Sequence, residues 1–242
     1  MWKNPASISE HPRLKNLFFI LKEGTIVAFS VKGPMKAIPF FANSGDGTHC
    51  YQAALKMVLH FFTHREWSFE ELDALSEKKP GQWTWPTASL IWLLDHGFEV
   101  RLIEEFDYAA FGKKGRNYLE KKWGKEVADA QEANSDLAAE QSLALEFAKR
   151  APLEHRIPEW DDLEKMFREG YLMICNVNAS LLHNLEGYSG HFVVPVEIER
   201  QIITIHDPGF PPSPSLKVAK KVFEKSWGYP TRHERNLLAL RK

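Results

Sequence analysis

Asn43-Ser-Gly-Asp-Gly-Thr-His-Cys50-Tyr-Gln-Ala-Ala-Leu-Lys-Met-Val-Leu-His-Phe-Phe62 is a polar, glycine-bearing loop that runs without a break into an apolar stripe. Tyr51, Ala54, Leu55, Val58, Leu59 and Phe62 recur at the spacing of a helix buried along one face, so the loop delivers Cys50 into the first turn of an amphipathic helix. The opening N–H groups of a helix have no intrahelical partner, and the positive end of the helix dipole lies there. Both favour the thiolate form of a cysteine at that place. A small buried core residue is the plainer alternative for a free cysteine. The chemical reading requires a base, a group to orient it and donors for an oxyanion elsewhere in the chain.

The 242 residues suffice for a substantial core, and 44% hydrophobic with 26% charged residues is the balance of a folded globular chain. A formal net charge of −1 supplies no general attraction for nucleic acid or an anionic membrane, so neither is expected as a partner. Only two cysteines, Cys50 and Cys175, rule out a disulfide framework and fit a reducing, cytoplasmic setting. The first residues lack the basic start and apolar core of a secretory signal, and no apolar run has the length of a membrane span. No phosphate-binding or dinucleotide glycine motif occurs. His60 and His64 have a metal-pair spacing but lie on the polar face of their helix with no third ligand in view, so neither a metal nor a cofactor is expected.

Before the quoted stretch, Leu17–Leu21 is a short apolar run of undecided type, and Thr25–Val31 reads as a strand ended by Gly33-Pro34. Beyond it, Ser68 and Glu71 form a capping-box pattern, Pro86 suits the first turn of another helix, and Phe98–Ile103 alternates as a strand. Trp83 and Trp85, beside the Gly81 turn, can line a substrate groove or pack an edge. From 107 to 155 the composition shifts to Ala, Glu, Lys and Gln, which predicts helices with much solvated surface and a nearly unbroken stretch from Asp129 to Lys149. Pro158 opens a further helix, and Tyr171–Val177 is apolar throughout, as for a strand covered on both faces, with Cys175 inside it as packing. The end of the chain reads as a proline loop, an amphipathic piece from Leu216 to Trp227 and a basic, solvated tail.

Ser189 to Gly209 reads as two strands joined by a tight polar turn. With that turn centred on Glu199, His191 falls opposite Asp207, about 5 Å away at Cβ on one face, where the carboxylate can accept a hydrogen bond from the imidazole. A turn centred half a residue away pairs His191 with Pro208 instead. His191 is then a base for Cys50 and Asp207 its orienter.

Three motifs, Thr-His-Cys50-Tyr-Gln-Ala-Ala-Leu, Ser-Gly-His191-Phe-Val-Val and His-Asp207-Pro-Gly, in the order Cys, His, Asp, resemble those of the bacteriocin-processing, double-glycine-leader peptidase-like family within the papain-like superfamily. The resemblance covers roughly 39–62 and 170–210. It implies an α+β, papain-like fold in which the helix carrying the cysteine packs on an antiparallel sheet, with Cys50 as nucleophile, His191 as base and Asp207 as orienter. The expected organisation is a catalytic domain of residues 1–106 and 156–242, with 107–155 as a helical insertion serving as cap or partner surface. Two positions depart from the family pattern: Tyr51 stands where glycine follows the cysteine, and Ser44 where glutamine precedes it by six. Asn43 is the nearest amide and the candidate oxyanion donor, while Asp46 and His49 either shape the loop or contact substrate. The function expected is hydrolysis of a peptide or amide bond through a Cys50 thioester. The alternatives are an acyl- or peptidyl-transferase using the same three residues and a catalytically silent binding module.

Overall fold

The computed structural model describes residues 38–242 and, as backbone, two antiparallel strands, β1 (Phe18–Lys22) and β2 (Thr25–Phe29). The undecided run at Leu17–Leu21 is thus mostly strand, whereas the Gly33-Pro34 turn lies outside the described residues.

The main body is a mixed α+β arrangement around a seven-stranded sheet. Its strands are β3 (Glu99–Glu104), β4 (Leu153–Glu154), β5 (Leu172–Asn178), β6 (Gly190–Ile198), β7 (Ile202–Asp207), β8 (Ser213–Ala219) and β9 (Asn236–Arg241), in the spatial order β4-β3-β9-β5-β6-β7-β8. Only the two-residue β4 runs parallel to its neighbour; every other pairing is antiparallel. Side chains of the central strands alternate between two cores. Leu172, Ile174, Val194, Leu238 and Leu240 enter one, and Met173, Cys175, Val193, Leu237 and Ala239 the other. Coverage on both faces explains why Tyr171–Val177 has no polar alternation.

Helix α1 (Cys50–Thr63) lies on the first face against β5 and β6; of the predicted stripe Tyr51, Ala54, Leu55, Val58 and Leu59 are buried and Phe62 half-buried, and the buried face is wider than predicted, taking in Gln52, Ala53 and Met57 as well. Beside it come α2 (Phe69–Leu75) and α3 (Thr87–Asp95). The capping box is present: the Ser68 hydroxyl accepts from the Glu71 N–H at 3.2 Å, and the Glu71 carboxylate accepts from the Ser68 N–H at 2.9 Å. The opposite face is covered by α8 (Trp160–Arg168) and α10 (Lys220–Trp227), whose Trp160, Leu163, Phe223 and Trp227 close the second core.

Residues 107–155 hold α4 (Tyr108–Lys114), α5 (Arg116–Trp123), α6 (Lys125–Asn134) and α7 (Leu137–Arg150). The expected unbroken stretch is interrupted: Ser135 is extended and Asp136 caps α7 by accepting from the Ala139 N–H, because an Asn-Ser-Asp sequence offers capping chemistry that competes with helix continuation. Phe111, Leu119, Ala128, Ala144 and Phe147 are buried in the same apolar cluster as α1 and α3.

The largest departure from the sequence reading is the C-terminus. The segment read as a solvated basic tail contains β9, inserted between β3 and β5, with Leu237 to Leu240 buried. Its basic residues flank an apolar core of four, and the charge obscures the strand. The amphipathic piece before it also divides, into β8 up to Ala219 and α10 from Lys220.

Candidate active site

Cys50 is the first residue of α1. The first helical hydrogen bond runs from the Ala53 N–H to the His49 carbonyl at 2.8 Å, so the N–H groups of Cys50, Tyr51 and Gln52 precede the ladder. Tyr51 turns away from the thiol. Its ring packs on Phe192 with centroids 5.0 Å apart and its buried hydroxyl bonds Ser89, so a bulky residue directly after the cysteine fills the core and leaves the thiol's surroundings alone.

The hairpin β6–β7 brings His191 and Asp207 together, by a register different from the expected one. The turn is the pair Arg200-Gln201, closed by the Glu199 N–H donating to the Ile202 carbonyl at 2.9 Å, and Ile198 and Glu197 oppose Ile203 and Thr204. Extended unchanged, that register would set His191 opposite Phe210, three residues from Asp207 and therefore on the other face. A bulge at Val196 intervenes, after which Pro195 opposes Ile205 and Val194 opposes His206. Continuing from there, His191 falls opposite Gly209, two residues from Asp207 on the shared face. The bulge thus supplies the parity, and the His191 Nε2 to Asp207 Oδ1 distance is 2.6 Å.

The Cys50 thiol also acts on this imidazole, and since Nε2 is committed to Asp207, the nitrogen left to face the thiol is Nδ1. Burial acts to lower the pKa of His191, but the hydrogen bond to Asp207 and the neighbouring Cys50 thiol outweigh it and lift the value to about 9. Asp207 is fully buried. Burial alone would raise its pKa, yet His191, the Gly209 N–H at 2.8 Å and His183 hold it below the ordinary carboxylate value. Gly209 is required by space: a Cβ there would lie 2.9 Å from Asp207 Oδ1 and 3.1 Å from His191 Nε2.

No family model matches the chain, and no curated protein matches it. The site therefore stands on its geometry and chemistry.

Sequence reasoning missed His183. It sits at the end of the short helix α9 (Ala179–Leu182), and its Nε2 lies 2.8 Å from the second oxygen of Asp207. A histidine in the polar connection between an apolar strand and His191 was the available signal.

Asn43 braces the loop before Cys50. Its Oδ1 accepts from the N–H groups of Ser44 and His49, both at 2.8 Å, its Nδ2 donates to the Gly47 carbonyl at 3.1 Å, and its backbone N–H donates to the Pro208 carbonyl next to Asp207. Among the described residues one amide hydrogen is committed and one is left. Asp46 and His49 belong to the same loop. The Ser44 hydroxyl and the Thr48 N–H hold the Asp46 carboxyl well below its usual range, and His49 Nε2 reaches Asp73 Oδ2 at 3.0 Å. These bonds fix the loop to α2.

The Gly81–Pro86 turn is tied to α1 by Gln52 donating to the Thr84 hydroxyl at 3.0 Å, two residues beyond Cys50. Within it Trp85 is committed to packing, stacked on Phe111 with its indole N–H donating to Ser135, whereas Trp83 is half exposed. Phe210 and Tyr188, both exposed, stand near the glycines of this region, Phe210 against Gly47 and Tyr188 against Gly190. Cys175 is buried in β5, and burial pushes its thiol far above the ordinary range. His206, next to Asp207, faces the other way: Nε2 bonds the Ile38 carbonyl, Nδ1 accepts from the Ser215 N–H, and burial lowers its pKa. Among the described residues no cluster of His, Cys, Asp or Glu suits a metal ion, and no helix is long and apolar enough to cross a membrane.

Proposed function

We propose that this chain is a papain-like, cysteine-dependent hydrolase that cleaves a peptide or amide bond through a thioester on Cys50. The observation that carries the reading is a single imidazole that is hydrogen-bonded to a buried carboxylate and feels the thiol at the start of α1. His191 takes the thiol proton, and Asp207 stabilises the imidazolium that results. The Cys50 sulfur attacks the carbonyl carbon, and the oxyanion is met by the Cys50 N–H and the uncommitted amide hydrogen of Asn43. Collapse of the tetrahedral intermediate breaks the C–N bond, and the leaving amine takes the proton from His191. Water then attacks the thioester with His191 as base, releasing the acid and restoring the thiol. An amine in place of water would transfer the acyl group by the same steps. Two free thiols fit a reducing, cytoplasmic setting.

The reading is tested by alkylating the protein with iodoacetamide across pH and by following acylation with a nitrophenyl ester in a mass spectrometer. Wild type is expected to alkylate at Cys50 faster than a free thiol below the ordinary thiol range and to carry an acyl group there. His191→Ala is expected to lose the advantage, and Cys50→Ala to show neither reaction at that site. A Cys50 that reacts like a free thiol irrespective of His191 would sink the proposal. Added glycinamide divides the acyl group between water and amine and separates hydrolase from transferase.

A further inference from the structure

We propose that His183 is a positioning residue that holds the Asp207 carboxylate in the orientation and ionisation His191 needs. This inference rests on the cysteine-hydrolase reading. The two oxygens of Asp207 have different partners: Oδ1 accepts from His191 Nε2 at 2.6 Å and from the Gly209 N–H at 2.8 Å, and Oδ2 meets His183 Nε2 at 2.8 Å. A carboxylate only accepts, so Nε2 of His183 carries the hydrogen. The Asp207 side chain is 1% exposed, which leaves little water to replace that donor. Without His183 the buried Oδ2 loses the donor it has among the described residues, and a carboxylate so placed either rotates to share Oδ1's donors or takes up a proton. Either outcome weakens the acceptor that faces His191.

The chain is built to place this group. Asn178, at the end of β5 and 1% exposed, accepts from the N–H groups of Ser180 and Ser189, each at 3.0 Å, and donates to the Gly187 carbonyl at 3.0 Å. One buried amide therefore clamps both ends of the β5–β6 connection. The His183 N–H is itself bonded to the Ala179 carbonyl at 3.0 Å, closing the single turn of α9. From this clamped connection His183 reaches Asp207 on one side, and the strand that follows delivers His191 to it on the other. His183 is itself about a third exposed and has no contact with Cys50 among its hydrogen bonds, so it acts through Asp207 and not on the reacting atoms.

The test compares wild type, His183→Ala and His183→Gln in two measurements, iodoacetamide alkylation of Cys50 near neutral pH and NMR titration of the His191 imidazole. Glutamine places an amide nitrogen the same number of bonds from Cβ as Nε2 and can donate to Oδ2. His183→Ala is expected to slow alkylation about ten- to a hundredfold, the worth of one hydrogen bond to a charged group. It should also move the His191 titration from about 9 toward that of a free imidazole. His183→Gln should restore both. A His183 that merely packs the loop would alter thermal stability but leave the His191 titration in place. Unchanged alkylation and titration in His183→Ala, or a folded His183→Gln that recovers neither, overturns the proposal; should the alanine variant fail to fold, the glutamine variant and its titration decide. Wild-type Cys50 reactivity that does not depend on His191 removes the hydrolase reading, while the NMR comparison still reports whether His183 governs Asp207.

Discussion

Two regions of this molecule bury carboxyl groups, with opposite results. At the hairpin, Asp207 is surrounded by His191, His183 and the Gly209 N–H, and these donors hold it below the ordinary carboxylate value despite burial. Among the helices α3 to α7, Glu104 has the Tyr108 hydroxyl at 2.7 Å with Lys122 farther off, and Glu140 has a buried Oε2 with no hydrogen-bond partner among the described residues; burial dominates, and both are pushed up to about 7. Depth alone does not decide whether a buried acid is charged. The number of donors aimed at it does, and a fully partnered carboxylate marks the region where charge has work to do.

The comparison breaks most sharply at Asp207→Asn. An amide keeps the volume but turns one acceptor into a donor, which then faces His191, His183 or the Gly209 N–H. Turnover and Cys50 alkylation are expected to fall about a thousandfold or more. Loss of the buried charge from its partners should destabilise the fold by about 3 kcal/mol, read in a denaturant titration. The pH dependence has a definite sign. A carboxylate held below its unfolded value contributes stability that is present above the usual carboxylate range and lost as pH falls through the folded value. The variant should therefore lose the acid limb of the wild-type stability profile that Asp207 supplies. Equal activity in wild type and variant would separate Asp207 from the chemistry.

Gly209→Ala probes the same region with a smaller perturbation. The added methyl would lie 2.9 Å from Asp207 Oδ1 and 3.1 Å from His191 Nε2, tighter than ordinary van der Waals contact, and the backbone there needs no left-handed conformation. Activity should drop by about one to two orders of magnitude while the melting temperature changes little, because the displaced atoms belong to the site and not to either core. A variant with wild-type turnover would show that the imidazole tolerates displacement, contrary to the tight fit.

The parts legible in the sequence were those encoded locally. The stripe after Cys50 requires only helical periodicity, and the pairing of His191 with Asp207 requires only a short hairpin. Even there the expected turn at Glu199 was misplaced, and agreement at the site came from two offsets that conserve parity, the Arg200-Gln201 turn and the Val196 bulge. What escaped was encoded at long range. Strand β9 has a four-residue apolar centre whose partners, β3 and β5, lie far back in the chain, and nothing local separates it from a helix turn or tail. His183 gains meaning only when α9 is folded against the end of β7. The helices after Asp107 look solvated by composition, but their aromatic residues carry the contrary signal: Phe106 packs with Tyr108, Phe111, Tyr118 and Trp123, and that cluster ties the helices into the first core.

The sparsely partnered carboxyls offer the smallest and most diagnostic effect. Glu104 and Glu140 titrate near 7 in the folded chain and near the ordinary glutamate value when unfolded, so between those two values the folded state holds protons that the unfolded state has released. Stability must fall as pH rises through that window and remain lower above it, the reverse of the Asp207 contribution. Glu140→Gln removes the ionisable group and keeps its shape, so it should cost nothing in mildly acid buffer and stabilise above neutrality. Both carboxyls keep some contact with solvent, which trims the penalty to on the order of 1 kcal/mol each, or about 2–4 °C in melting temperature for a chain of this length. Glu104→Gln should behave alike, with its amide still able to accept from Tyr108. The check is thermal unfolding of both variants on either side of neutral pH. A glutamine variant less stable than wild type in alkaline buffer would mean that the buried glutamate has donors as effective as those of Asp207, and the contrast between the two regions would fail.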